Sequence, residues 1–166
     1  MKQVVIFLIV FFSCAAMKAQ YKIGDIYNEG GLKGIVVRVD DKGLHGIIMS
    51  LDRFGGKWYL NKKAKFLTDA FYEDDGEKNM AVIERYITEN GQTWEMFPFF
   101  QWCRNKGEGW YAPAREEMEL IIAAMNGSVG KYSESNMKAF DRIITDNGGD
   151  SLYGNVDLPM GGKMPY

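Results

Sequence analysis

Phe97-Pro98-Phe99-Phe100-Gln101-Trp102-Cys103, and after three residues Gly107-Glu108-Gly109-Trp110-Tyr111-Ala112-Pro113-Ala114-Arg115-Glu116-Glu117-Met118, form the stretch that decides how this chain is read. With Trp94 just upstream, seven aromatic side chains fall within residues 94–112. Rings clustered this way can stack on sugars, whose pyranose faces present C–H groups, or can fill the core of a region with little regular structure. Aromatic side chains carry large apolar areas, so burial of most of these rings is expected. At Pro113 the pattern changes. Met118, Ile121, Ile122 and Met125 recur at i, i+3, i+4 and i+7, the signature of an amphipathic helix. Glu116 and Glu117 stand in its first turn, where the helix dipole favours negative charge, and Asn126-Gly127 supplies the stop.

Two more helices flank this one. Residues 135–146 place Met137, Phe140 and Ile144 inward before Asn147-Gly148-Gly149, and residues 77–87 align Met80, Ile83 and Ile87 before Asn90-Gly91. Each apolar stripe is what core packing requires, and none forms a cofactor motif. Further upstream, residues 34–39 (GIVVRV) and 46–51 (GIIMSL) are rich in β-branched and apolar residues. Asp40-Asp41-Lys42-Gly43 joins them, with glycine where a positive φ is needed, and predicts a β-hairpin. So many apolar positions imply that at least one of the two strands is covered on both faces. Residues 21–27 read as a short opening strand broken by Gly30-Gly31, and residues 52–76 as a long, irregular, Gly- and Asp-rich loop. The acids Asp69, Glu73, Asp74 and Asp75 lack the alternating oxygens and the closing bidentate Glu of a calcium loop, so they read as a solvated surface.

The first nineteen residues stand apart from the fold. Lys2 precedes an unbroken apolar run from Val4 to Phe12, too short to span a bilayer, which needs about 20 residues. Small residues follow to Ala19, the layout of a secretory signal peptide over residues 1–19, with cleavage after Ala19 or after Ala16. Cys14, in Phe11-Phe12-Ser13-Cys14, admits a second reading as a lipidated cysteine. Loss of the leader removes Lys2 and Lys18 and no acid, so the 20 basic residues become 18 against 22 acidic ones. A mildly acidic, exported domain over residues 20–166 is not built to seek nucleic acid or anionic lipid heads. No transmembrane span is expected in it. The periplasm, outer membrane or cell surface of a Gram-negative bacterium is the expected location.

Together these stretches resemble a bacterial family: the lectin-like domain found at the C-terminus of a collagen-like adhesin and in many exported Gram-negative proteins. The likeness is carried by Trp102-Cys103, the Gly-containing gap, and Gly109-Trp110-Tyr111-Ala112-Pro113-Ala114 leading into a helix at Glu117-Met118. Ala112 stands where the family has Leu, Ala114 where it has a capping Ser or Thr, and Met118 where it has Leu. Gly30-Gly31, Gly34-Ile35-Val36, the Asp40–Gly43 turn and residues 75–80 match as well. The resemblance covers residues 21–150. It implies an α+β, C-type-lectin-like fold, with a small twisted antiparallel sheet, flanking helices and long irregular loops. It further implies that Trp102, Trp110 and Tyr111 fill the core, that Pro113 opens the helix, and that Glu117 ties its first turn to a neighbouring strand. Loss of the cap at Ala114 should cost on the order of 1 kcal/mol unless another group substitutes. In the family a Trp-Ser-Ser-Thr run comes next, so residues 160–166 are expected to end the chain short of its last strands.

A lectin-like fold does not make a lectin. The Glu-Pro-Asn, Gln-Pro-Asp and Trp-Asn-Asp triplets of calcium-dependent sugar sites do not occur in this sequence. His45 is the chain's single histidine, and Cys103 the single cysteine beyond the leader. No Ser–His–Asp or Cys–His set can be assembled from them. The formylglycine-generating oxidases share the lectin-like fold but use a pair of cysteines. No catalytic, metal or cofactor residue is therefore assigned, and no ligand site. The expected function is an exported, non-catalytic recognition module whose partner is a glycan or a surface protein. A scaffolding envelope protein without a small ligand is the alternative, and an oxidase the remote one.

Overall fold

The computed structural model describes residues 20–60, 68–128 and 131–153. The expected leader, Cys14 and the end of the chain after Tyr153 lie outside the described residues, as does Phe66 of the long loop. The architecture is α+β, with a three-stranded antiparallel sheet and four α-helices.

Strands β1 (Ile26–Glu29), β2 (Leu32–Val39) and β3 (Gly46–Ser50) lie in the order β1-β2-β3. The predicted hairpin is β2–β3, with Gly34 opposite Ser50 and Val39 opposite Gly46. Its turn closes on Asp40, whose Oδ1 accepts the main-chain N–H groups of Leu44 (2.9 Å) and Lys42 (3.2 Å). Gly43 adopts a φ of 67°, and a Cβ there would press on the Tyr21 carbonyl oxygen at 2.9 Å. Ile35, Val36 and Val37 are all buried, so the central strand β2 is the one covered on both faces. The register shifts between Val36 and Arg38, where the chain accommodates a bulge. The opening strand is shorter and later than its sequence suggests. Residues 21–25 form a turn, held by Gly24 N–H donating to the Val36 carbonyl at 2.8 Å and Val36 N–H donating to that of Asp25 at 2.9 Å.

Helix α1 spans Gly76–Glu89 and starts on Asp75, whose carboxylate accepts the Lys78 N–H at 2.9 Å. Helix α3 (Arg115–Asn126) and helix α4 (Glu134–Asp146) fall where the apolar periodicities put them. Gly127, at φ 75°, ends α3 in the left-handed region. Between α1 and α3 lies a helix that the aromatic density concealed, α2 (Pro98–Asn105), with proline at its start and a single 3-10 turn (Trp94–Met96) before it. Four helices are thus present where three were expected.

The apolar residues separate into two clusters. In one, Ile35 and Val37 of β2 meet Ile121 and Met125 of α3 and Met137, Phe140 and Ile144 of α4. In the other, Ile83 and Ile87 of α1 pack on Phe97, Phe100 and Cys103. Phe97, wholly buried, is the ring at the centre of the second cluster. Trp102, Trp110 and Tyr111, expected in the core, are each only half-buried at its margin. Phenylalanine can be enclosed on all sides at no cost in hydrogen bonds, whereas a Trp N–H or Tyr O–H asks for a partner.

Glu117 joins the two helical units. The residue is 7 % exposed. Oε2 accepts the main-chain N–H of Ala114 at 2.8 Å and that of Gly76 at 3.0 Å, and Oε1 accepts the Tyr111 hydroxyl at 2.8 Å. The residue therefore ties the start of α3 to the start of α1, and not to a strand. Gly76 permits the approach: a Cβ there would lie 2.7 Å from the Tyr111 ring and 2.8 Å from Glu117 Oε2. The missing cap at Ala114 is made good by this carboxylate and by the Glu73 carbonyl, which accepts the Glu116 N–H at 2.8 Å. Replacing Glu117 by Ala strands three donors, two of them main-chain, and should cost about 3 kcal/mol. Glu117→Gln keeps the shape and loses the charge, for about 1–2 kcal/mol. Urea denaturation checks both, as a lower midpoint at unchanged slope.

Candidate functional site

Chemistry-bearing side chains are sparse and dispersed. His45 is exposed, just before β3. Among the described residues no group of three His, Cys, Asp or Glu side chains could hold a metal ion, and no helix is long and apolar enough to cross a membrane. Cys103 is buried in α2, and desolvation pushes its thiol up to about 12, against a smaller opposing effect of the Lys106 charge. The thiolate needed for nucleophilic or redox work is thus disfavoured at neutral pH. The Tyr111 hydroxyl is also pushed well above the usual tyrosine range, first by burial and then by its bond to Glu117.

What the fold does build is a cleft of about 270 Å³. Ile47 and Met49 of β3 line one wall, and Met118, Ile121 and Ile122 of α3 the facing one. Phe99, Trp102 and Cys103 of α2 close one end, and Tyr132 and Tyr153 stand at another. The cleft follows from the topology. Among the described residues strand β3 is a sheet edge, and its half-buried Ile47 and Met49 pack with the α3 cluster while α2 belongs to the second one.

The rim is aromatic and charged. Phe54 packs on Phe99 and Trp102, with ring centroids 5.5 and 5.7 Å apart. Lys106 Nζ lies 4.7 Å from the Trp102 ring centre and 5.4 Å from that of Trp110, and contacts the Asp52 carboxylate at 2.5 and 2.7 Å. Burial pushes the Asp52 carboxyl up, but its hydrogen bonds from Lys106 and Ser50 outweigh that and hold it below the usual range. Arg104 in turn covers Trp94, its guanidinium carbon 4.8 Å from the ring centre. Trp94, Trp102 and Trp110 therefore each present a ring face to a cation.

Four charged side chains line the cleft: Asp52, Arg53, Lys106 and Glu117. Asp52 and Lys106 neutralise one another, and Glu117 is engaged by its three donors. Arg53 differs. Its main-chain N–H donates to Asp150 at 3.0 Å, while its Nε and Nη1 are shielded from solvent and meet no acceptor among the described residues.

No site was assigned from the sequence, and the signal for this one is faint. The stripe on α3 was legible, but that part of it faces a cleft depends on where α2 comes to rest. Arg53, inside a loop, carried no pattern at all. Comparison with protein-family models, with curated proteins and with solved structures gave no match.

The thiol makes a pH-dependent contribution to stability. An unfolded Cys103 releases its proton near 9.0, while the folded one retains it to about 12. The folded state then binds more protons, so this contribution is intact below pH 9 and declines as pH rises above it. Urea denaturation of the wild type and of Cys103→Ala, at pH 7.5 and pH 10, should show the difference between them shifting against the wild type at the higher pH.

Proposed function

We propose that the chain is an exported, non-catalytic recognition module of C-type-lectin-like architecture, and that its ligand enters the cleft between β3 and α3. The cleft carries this reading. A concave, almost wholly apolar hollow with a few polar groups at its margin is the usual form of a small-ligand site. Export is supported by the Lys2, Val4–Phe12 and Ala19 layout, and the lectin-like assignment by the Trp102–Met118 motif.

The lining speaks for binding over catalysis. Cys103 is a buried thiol without a second cysteine near it among the described residues, and His45 does not line the cleft. The two carboxylates that do are each committed to donors of the protein. A general base must turn a lone pair to its substrate's proton, and both carboxylates are oriented by the protein's own donors instead.

The rim favours an apolar ligand over a sugar. A pyranose needs an open ring face on which to stack. Lys106 sits against Trp102 and Trp110, and Arg104 against Trp94. The apolar walls of β3 and α3 have no such cover.

Ile122 lines the cleft from α3 and belongs to neither apolar cluster, so an indole there fills the hollow with little change to the core. The test is a thermal-shift and titration panel of short-chain amphiphiles beside a glycan array. Apolar ligands should raise the melting temperature of the wild type, and Ile122→Trp should lower their affinity at least about tenfold, a loss of about 1.4 kcal/mol. Binding confined to glycans would move the site out of the cleft. Binding of nothing would leave the scaffolding role.

A further inference from the structure

Arg53 breaks the pattern of an otherwise self-sufficient site. A buried guanidinium N–H without an acceptor is costly, because water has been removed and nothing replaces it. Every other charged group of the lining is compensated within the protein. Arg53 is half-buried, its Nε and Nη1 are shielded, and neither has a protein acceptor. Asp150 meets only its main-chain N–H, so among the described residues no carboxylate forms an ion pair with the guanidinium. Arg53 lines a mostly apolar cleft, where an unpaired charge is ill at ease.

We infer that the cleft takes a single-tailed amphiphile with a carboxylate head, the tail lying between β3 and α3 and the head accepting hydrogen bonds from Arg53. The inference rests on the cleft being the ligand seat. Three features select this class. The side chains of Ile47, Met49 and Ile122 are apolar and outweigh the few polar groups of the lining, so the body they favour is a hydrocarbon. The volume, about 270 Å³, is at the lower limit of small-ligand pockets, which span roughly 300–1,000 Å³, so two acyl chains do not fit. The charge is single: Asp52 and Glu117 border the same hollow, and a doubly charged phosphate would face both with one unpaired cation to hold it. A carboxylate brings one negative charge and supplies the acceptors that Arg53 lacks.

Octanoate and 1-octanol share a tail and differ in the head, so calorimetric titration of the full chain with each, at pH 7, separates the two parts of the site. Octanoate should bind at least about tenfold more tightly than 1-octanol, the scale of a charge-assisted hydrogen bond in a shielded site. Arg53→Met should remove that preference. Arg53→Lys should retain a preference of at least about threefold, since it keeps the charge but not the planar fork. Should Arg53→Met fail to fold, the wild-type comparison and Arg53→Lys still decide. Equal affinity for the two ligands in the wild type, or undiminished octanoate binding by Arg53→Met, would overturn the role of Arg53 while leaving the cleft as an apolar seat. Binding of neither ligand would overturn the cleft reading itself.

Discussion

The buried carboxylate of Glu117 is the constraint on which the arrangement of this protein depends. It answers the main-chain N–H groups of Ala114 and Gly76 and the hydroxyl of Tyr111, groups brought together from three places in the chain. A helix start carries N–H groups with no partner inside the helix, and two such starts lie here within reach of one side chain. Negative charge is favoured at both by the helix dipole. One residue therefore caps α3 in place of the Ser or Thr that Ala114 replaces, pins α1 beside it, and holds the Trp110-Tyr111 segment against the junction. Gly76 is part of the same device, since no larger residue leaves room for the approach.

The cleft is a consequence of how the two apolar clusters are joined. The sheet, α3 and α4 bury one set of side chains, and α1 with α2 buries another. The two sets are tied at the helix starts by Glu117. The edge of β3 and the outward part of the α3 stripe are left as walls of a hollow. Arg53, beside that hollow, is anchored through its backbone to Asp150 and leaves its Nε and Nη1 without an acceptor among the described residues. A scaffold that saturates its other lining charges, and leaves this one open, directs attention to an anion from outside the chain.

Much of the fold was legible in the sequence, because its signals are local. The β2–β3 hairpin follows from two β-branched runs around a turn whose Gly43 supplies positive φ. Three helices follow from apolar periodicity and from stops at Asn90, Gly127 and Asn147. Helix α2 was not legible. Its eight residues make only about two turns, too few for an apolar periodicity to stand out within a run so dense in rings. The same density made Trp102 and Trp110 look like core, whereas each lies half-buried beneath the cation of Lys106. Tyr111 was expected to fill space and in fact donates a hydrogen bond.

By itself the sequence determined the classes of element, the hairpin and its turn, the inward faces of three helices, and the scarcity of residues able to do chemistry. Periodicity, turn composition and residue counts are properties of neighbours along the chain, and they survive without a partner. Only the tertiary structure decided what Glu117 holds, which ring occupies the core, and that α3 shares its outer face with a cleft beside an unpaired arginine. Each of these depends on groups far apart in sequence, Gly76 with Glu117, Lys106 with Asp52, Arg53 with Asp150. Their distances are fixed by packing, and local pattern carries no record of them.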